Sequence, residues 1–149
     1  QKKAAKNLQK FDVLAVDAFS SDAIPMHLLT QECFKLYWQH LKPDGILAVH
    51  ISNRFLDLSH VVRSLAQDAD KTPILIDFDA DLAHESGSTW VLITPNQNFI
   101  DSEELQFYSS EWDLPYLIWT DDYGSLRQVL RSEDIWDEFR EMFSADEEE

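Results

Sequence analysis

Two aspartates carry the clearest chemical signal in this chain. Asp17 closes the stretch Phe11-Asp12-Val13-Leu14-Ala15-Val16, and Asp22 follows it after Ala18-Phe19-Ser20-Ser21. A carboxylate within hydrogen-bond reach can accept a proton, and a second one can anchor a cationic group and fix its register. Val13 to Val16 form a continuous apolar run of the sort that a parallel strand covered on both faces needs. Ala18 to Pro25 cannot continue that run and reads as loop. In an open α/β sheet, ligands bind in the crevice beyond the carboxyl ends of the strands, so Asp17 would stand at its lip and Asp22 above it. An acid in this position equally well caps a turn, and that alternative stands beside the chemical one.

Other side chains give weaker signals. His27, His40, His50, His60 and His84 have no metal-ligand spacing, so no metal is expected. His40 and His60 read as helix-surface residues, and His50, inside a strand, as a satisfied histidine at the core edge. His84 and Glu85 are candidates for the same crevice, although solvated loop positions describe them better. Asp121-Asp122-Tyr123 could bring an acid, Asp122, to the crevice; a turn is at least as good a reading. Cys33 lies on a helix face with no basic neighbour in sequence and reads as core rather than nucleophile. As the single cysteine, it excludes an internal disulfide and fits a reducing compartment.

The elements that must position these residues alternate in type. Residues 1–10 are a basic, polar flank, followed by a strand over about residues 12–16. Thr30 is a good N-cap for a helix that runs through Leu41, with Glu32 in its first turn and Pro43-Asp44-Gly45 as its stop. Ile46 to Ile51 is a second apolar strand. Leu58, Val61, Val62, Leu65, Ala66 and Ala69 define one face of a second helix, capped by Asp57. Thr72 to Phe78 and Thr89 to Thr94 are the third and fourth strands. No helix fits between them, which predicts an antiparallel pair. Ser102 looks like a helix start, Tyr116 to Trp119 a short strand or extended segment, and Asp134 to Phe143 a last helix. The order predicts one α/β domain over residues 1–149, parallel strands with an antiparallel edge pair, ending in an acidic tail over 144–149.

Composition narrows the function classes. A hydrophobic fraction of 44% with five Trp describes a globular chain rather than a disordered one. The net charge of −16 opposes nucleic acid and favours a cation such as a polyamine, although the acidic carboxyl-terminal part supplies much of it. No run approaches a membrane span and no secretory signal is visible, so no membrane contact and a cytoplasmic location are expected. With three Gly and no G-x-G-x-x-G, a phosphate-holding turn is absent from these residues.

The stretch from Phe11 to Pro25, then Leu28-Leu29-Thr30, then Leu41-Lys42-Pro43-Asp44-Gly45-Ile46-Leu47-Ala48-Val49-His50-Ile51-Ser52-Asn53-Arg54, resembles the carboxyl-terminal half of the spermidine synthase family. Ser88-Thr89-Trp90-Val91-Leu92 and Trp119-Thr120-Asp121-Asp122-Tyr123 follow in the expected order. The nearest likeness is to the spermidine-synthase-like branch, some members of which are fused to membrane transporter segments. The resemblance is dense over residues 11–58 and thin beyond. It implies a partial methyltransferase-like Rossmann fold, with this chain supplying the fourth strand onward.

It also implies Asp17 as general base, Asp22 and Asp122 as substrate-binding acids, and Asp17 with Ala18 beside the nucleoside. The co-substrate would be decarboxylated S-adenosylmethionine or S-adenosylmethionine, with no tightly bound cofactor, and the partner a polyamine or other small cationic amine. Two departures stand out. The loop between the acids is longer than the Asp-Ser-Ser-Asp of the synthases, and Asp79 to Gly87 lacks the tyrosine they carry there.

The expected function is therefore aminopropyl transfer, with the nucleotide-binding half absent from these residues and no turnover by them alone. Two alternatives remain: a non-catalytic half-domain that binds cations or oligomerises, and a methyltransferase-like protein. A parallel sheet with an open flank recruits other strands, so a homo-oligomer is expected.

Overall fold

The computed structural model describes residues 8–17, 25–53, 55–78, 87–110, 112 and 114–131. Ala18, Asp22, His84, Glu85, the helix expected over 134–143 and the acidic tail lie outside the described residues.

The elements follow in the order β1 (Phe11–Val16), a 3-10 turn (Met26–Leu29), α1 (Gln31–His40), β2 (Leu41–His50), α2 (Ser59–Asp68), β3 (Thr72–Phe78) and β4 (Ser88–Thr94). Two short helices, α3 (Gln97–Ile100) and α4 (Glu103–Tyr108), then lead to β5 (Ser109–Ser110) and a 3-10 turn at Leu126–Val129. The chain is thus mixed α/β, and its sheet has the order β1-β2-β4-β3-β5. β1 and β2 are parallel, while β4 runs antiparallel to both β2 and β3. The third and fourth strands form the expected antiparallel pair. It is β4, however, that is wedged inside the sheet, so β1, β2 and β3 share one direction.

One face of the sheet carries the core. Leu47 and Val49 of β2 and Val91 and Ile93 of β4 point the same way and are sealed by Val61, Val62 and Leu65 of α2 and by Phe34 of α1, all buried. Spacing explains the helices: the buried positions of α2 recur every three or four residues, as an amphipathic stripe requires. Thr30 caps α1 as expected, its hydroxyl accepting from the Cys33 N–H.

Apart from one-residue shifts at strand ends, the boundaries of α1, β2 and α2 differ from the sequence reading. α1 stops at His40, because Leu41 is already extended and its N–H closes the last turn onto the Tyr37 carbonyl. β2 therefore starts five residues before Ile46, and Pro43-Asp44-Gly45 lies inside the strand. The pairing absorbs this as a bulge: Phe11 faces Leu41, and Val13 already faces Ile46. Gly45 suits the close approach there, since a Cβ would lie a tight 3.1 Å from the Lys42 carbonyl oxygen and 3.2 Å from that of Asp12. Asp57 does not occupy the cap position of α2, which falls on Leu58; its carboxylate instead accepts from the N–H and hydroxyl of Ser59.

The expectation of a first strand covered on both faces fails for β1. Val16 is buried and Leu14 packs on the core, but Val13 is 55% and Phe11 42% exposed. β1 is an edge strand, and the helices cover only the face that Leu14 and Val16 share.

Candidate active site

The parallel register of β1 and β2 pairs Val16 with Val49, so the next residue of each strand, Asp17 and His50, emerges side by side on the face opposite α2. Asp17 Oδ1 lies 2.7 Å from His50 Nδ1, and His50 Nε2 lies 2.8 Å from the Ser52 hydroxyl. The Ser52 oxygen in turn accepts the backbone N–H of Thr89, at 2.7 Å.

An ionised carboxylate only accepts, which sets the direction of the whole chain: Nδ1–H of His50 donates to Asp17. A neutral His50 then has a bare Nε2, which accepts the Ser52 proton. The Ser52 oxygen keeps a lone pair for the Thr89 N–H. The antiparallel pairing of β2 with β4 places Trp90 opposite His50. The two rings stack at 4.8 Å between centroids and 23° between planes. Trp90 is itself fixed by its indole N–H to the Ser88 hydroxyl, at 2.7 Å. The imidazole is therefore clamped at both nitrogens and on one ring face.

Exposure decides what the arrangement can do. The His50 side chain is 21% exposed and the Asp17 side chain 61%. Asp17 thus has one oxygen engaged by the imidazole and the rest of its carboxylate open to solvent and to a cation. A carboxylate so oriented can accept a proton from an amine or hold an ammonium.

From sequence, His50 reads as a satisfied core-edge histidine. It is satisfied, and its partner is the acid that the sequence singles out. Ser52 has no role in the sequence reading. The signal is present in outline: two apolar strands, Val13–Val16 and Ile46–Val49, each end on a titratable residue, and parallel pairing without a further slip makes those residues neighbours.

Asp122 does not join this group. It lies at the tip of a turn in which Thr120 and Tyr123 exchange backbone hydrogen bonds, in the wall of a separate cleft of about 610 Å³ that Asp17 does not line. Cys33 faces the same cleft, half-buried. Burial, together with the hydrogen bond and the charge of Cys33, pushes ionisation of the neighbouring Tyr37 hydroxyl well above its ordinary range. Among the described residues, no three His, Cys, Asp or Glu side chains are grouped to hold a metal ion. Nor is any described helix long and apolar enough to cross a membrane. Comparison with family models, with curated proteins and with solved structures finds no match to this chain.

Proposed function

We propose that this chain supplies the amine-activating wall of a spermidine synthase-like transferase with a methyltransferase-like Rossmann domain, and that Asp17 is its general base. The observation that carries the reading is the Asp17–His50 contact of 2.7 Å at the carboxyl ends of two parallel strands. Three co-directional strands with helical crossovers, α1 and α2, support the Rossmann-like assignment.

An amine is protonated at neutral pH and has no free pair for attack until a base removes a proton. Asp17 accepts that proton. The nitrogen pair then attacks the carbon beside the sulfonium of decarboxylated S-adenosylmethionine, and the carbon–sulfur pair returns to sulfur as a neutral thioether. Asp22, by resemblance, holds a second amino group. These residues contain no glycine-rich strand-turn-helix for the nucleoside, so the transfer is assigned to the intact protein and not to them alone.

Asp17→Asn keeps the shape and a hydrogen-bond acceptor for His50 but cannot take the proton. In the intact protein it should abolish transfer of an aminopropyl group to a polyamine acceptor, followed by product mass. Undiminished transfer in that variant refutes the assignment. A product enlarged by a methyl group instead moves the protein to S-adenosylmethionine-dependent methyl transfer by the same base.

A second reading has its own observation. The outer edge of β1 pairs with no other strand among the described residues, and Val13 and Phe11 are exposed on it. This favours a non-catalytic module that self-associates through β1, with a second copy of the chain as the partner.

A further inference from the structure

Asp17 follows the last residue of β1, an edge strand, and its side chain is mostly exposed. A carboxylate so placed samples several rotamers unless something holds it, and ordering it has an entropic cost. Among the described residues, its one side-chain hydrogen bond is the one from His50. What aims this acid is therefore a neighbour and not its own strand.

The neighbour is anchored far more firmly. The His50 ring stacks on Trp90, and its Nε2 meets the Ser52 hydroxyl, whose oxygen also takes the Thr89 N–H. Trp90 and Thr89 belong to β4, inside the sheet. The orientation of an acid at the sheet's edge is thus transmitted from β4 through one imidazole. Polarity matters as much as place. Nδ1–H engages one Asp17 oxygen and leaves the second free to take a substrate proton. In the other tautomer, Nδ1 would present a lone pair to the carboxylate and repel it. The Ser52 hydroxyl, by donating to Nε2, favours the first tautomer.

We infer that His50 is a positioning residue for the transfer reaction: its Nδ1–H fixes the Asp17 carboxylate so that the free oxygen meets the reacting amine. His50 acts through Asp17 and touches no reacting atom itself. The inference rests on the reading of Asp17 as general base and adds what makes that base effective. A misaimed carboxylate still attracts an ammonium, so losing the contact slows proton transfer and leaves amine binding nearly as it was.

Two substitutions divide the imidazole between its nitrogens. His50→Asn places an amide N–H where Nδ1 stands and loses the group that meets Ser52. His50→Gln reaches the Nε2 position, keeps an acceptor for Ser52 and has no donor for Asp17. Both lose the stack on Trp90, so that loss cancels between them, and both fall on a part-exposed face where the fold should survive. Single-turnover aminopropyl transfer by the intact protein is measured at varied amine concentration, beside Asp17→Asn. His50→Gln should slow transfer roughly ten- to hundredfold, and His50→Asn should be several-fold faster than His50→Gln. The amine concentration giving half the maximal rate should stay within about twofold in both. If His50 only tied β2 to Ser52, the order would reverse and His50→Gln would be the faster. Undiminished transfer in Asp17→Asn removes the transferase reading and this inference with it. With Asp17→Asn inactive, three results keep the base and overturn the positioning role: His50→Gln at the unaltered rate, His50→Asn no faster than His50→Gln, or a loss confined to the half-saturating concentration.

Discussion

At the scale of single residues, the informative group is Ser52, because it ties the Asp17–His50 pair to the fold. Its oxygen takes the Thr89 N–H at 2.7 Å and its proton goes to His50 Nε2 at 2.8 Å. Ser52→Ala removes both bonds and leaves a half-buried backbone donor unmet. A loss of about 1 kcal/mol in urea unfolding is expected, at the low end of the range because solvent reaches part of the site. A second consequence is specific to the hydrogen-bond direction. With neutral imidazole, nitrogen-15 correlation spectra of the unaltered chain should show His50 protonated at Nδ1. In Ser52→Ala, the Nε2–H form should gain population, since nothing then donates to Nε2. A resting His50 already protonated at Nε2 contradicts the chain of bonds as drawn. Asp17 stands out in sequence because an acid ending an apolar run is chemically conspicuous. Ser52 does not, because its role comes from β4 folding back beside β2, a contact between residues 37 positions apart.

Elements are legible where their periodicity is complete. The strand Thr72–Phe78 has the bounds that the sequence predicts, since Lys71 precedes it and its β-branched, apolar run lies between polar ends. β2 begins five residues before its predicted start, because Pro43-Asp44-Gly45 has the composition of a helix stop and the bulge that accommodates it depends on pairing with β1. The same kind of partner dependence explains β1. Its apolar run resembles a strand buried on both sides, yet Val13 faces solvent because nothing among the described residues covers that face. An exposed, unpaired edge with Val13 and Phe11 on it predicts self-association. Val13→Lys adds a charge at a position that is already 55% exposed, so the fold should survive it. Sedimentation across the micromolar range should show the unaltered chain shifting to a dimer or larger species as concentration rises, and Val13→Lys remaining a monomer. A monomer at every concentration for both removes the self-association reading.

For the molecule as a whole, pH reports how the packing around α1 is held. Tyr37 lies half-buried against Phe34, donates to the Leu28 carbonyl at 3.2 Å, and has Cys33 beside it. Burial first, and then Cys33, raises its ionisation in the folded chain above the usual tyrosine value. In the unfolded chain the same hydroxyl ionises near its ordinary value of about 10. The folded state therefore keeps a proton that the unfolded state gives up. The stability this represents is fully present below about pH 10 and is lost as pH rises further. Partial solvent access screens the effect, so the loss attributable to Tyr37 should be at most about 1 kcal/mol per pH unit. Tyr37→Phe should cost about 1 kcal/mol at pH 7 through the lost hydrogen bond. Above pH 10 its melting temperature should fall less steeply than that of the unaltered chain, since the exposed tyrosines and lysines are common to both and cancel in the difference. Cys33 is part of the same contact, so Cys33→Ala in both backgrounds separates its share. Parallel decline of the two melting curves over roughly pH 9 to 11 would show that the α1 packing tolerates the phenolate, and that the hydroxyl is not held neutral by its surroundings.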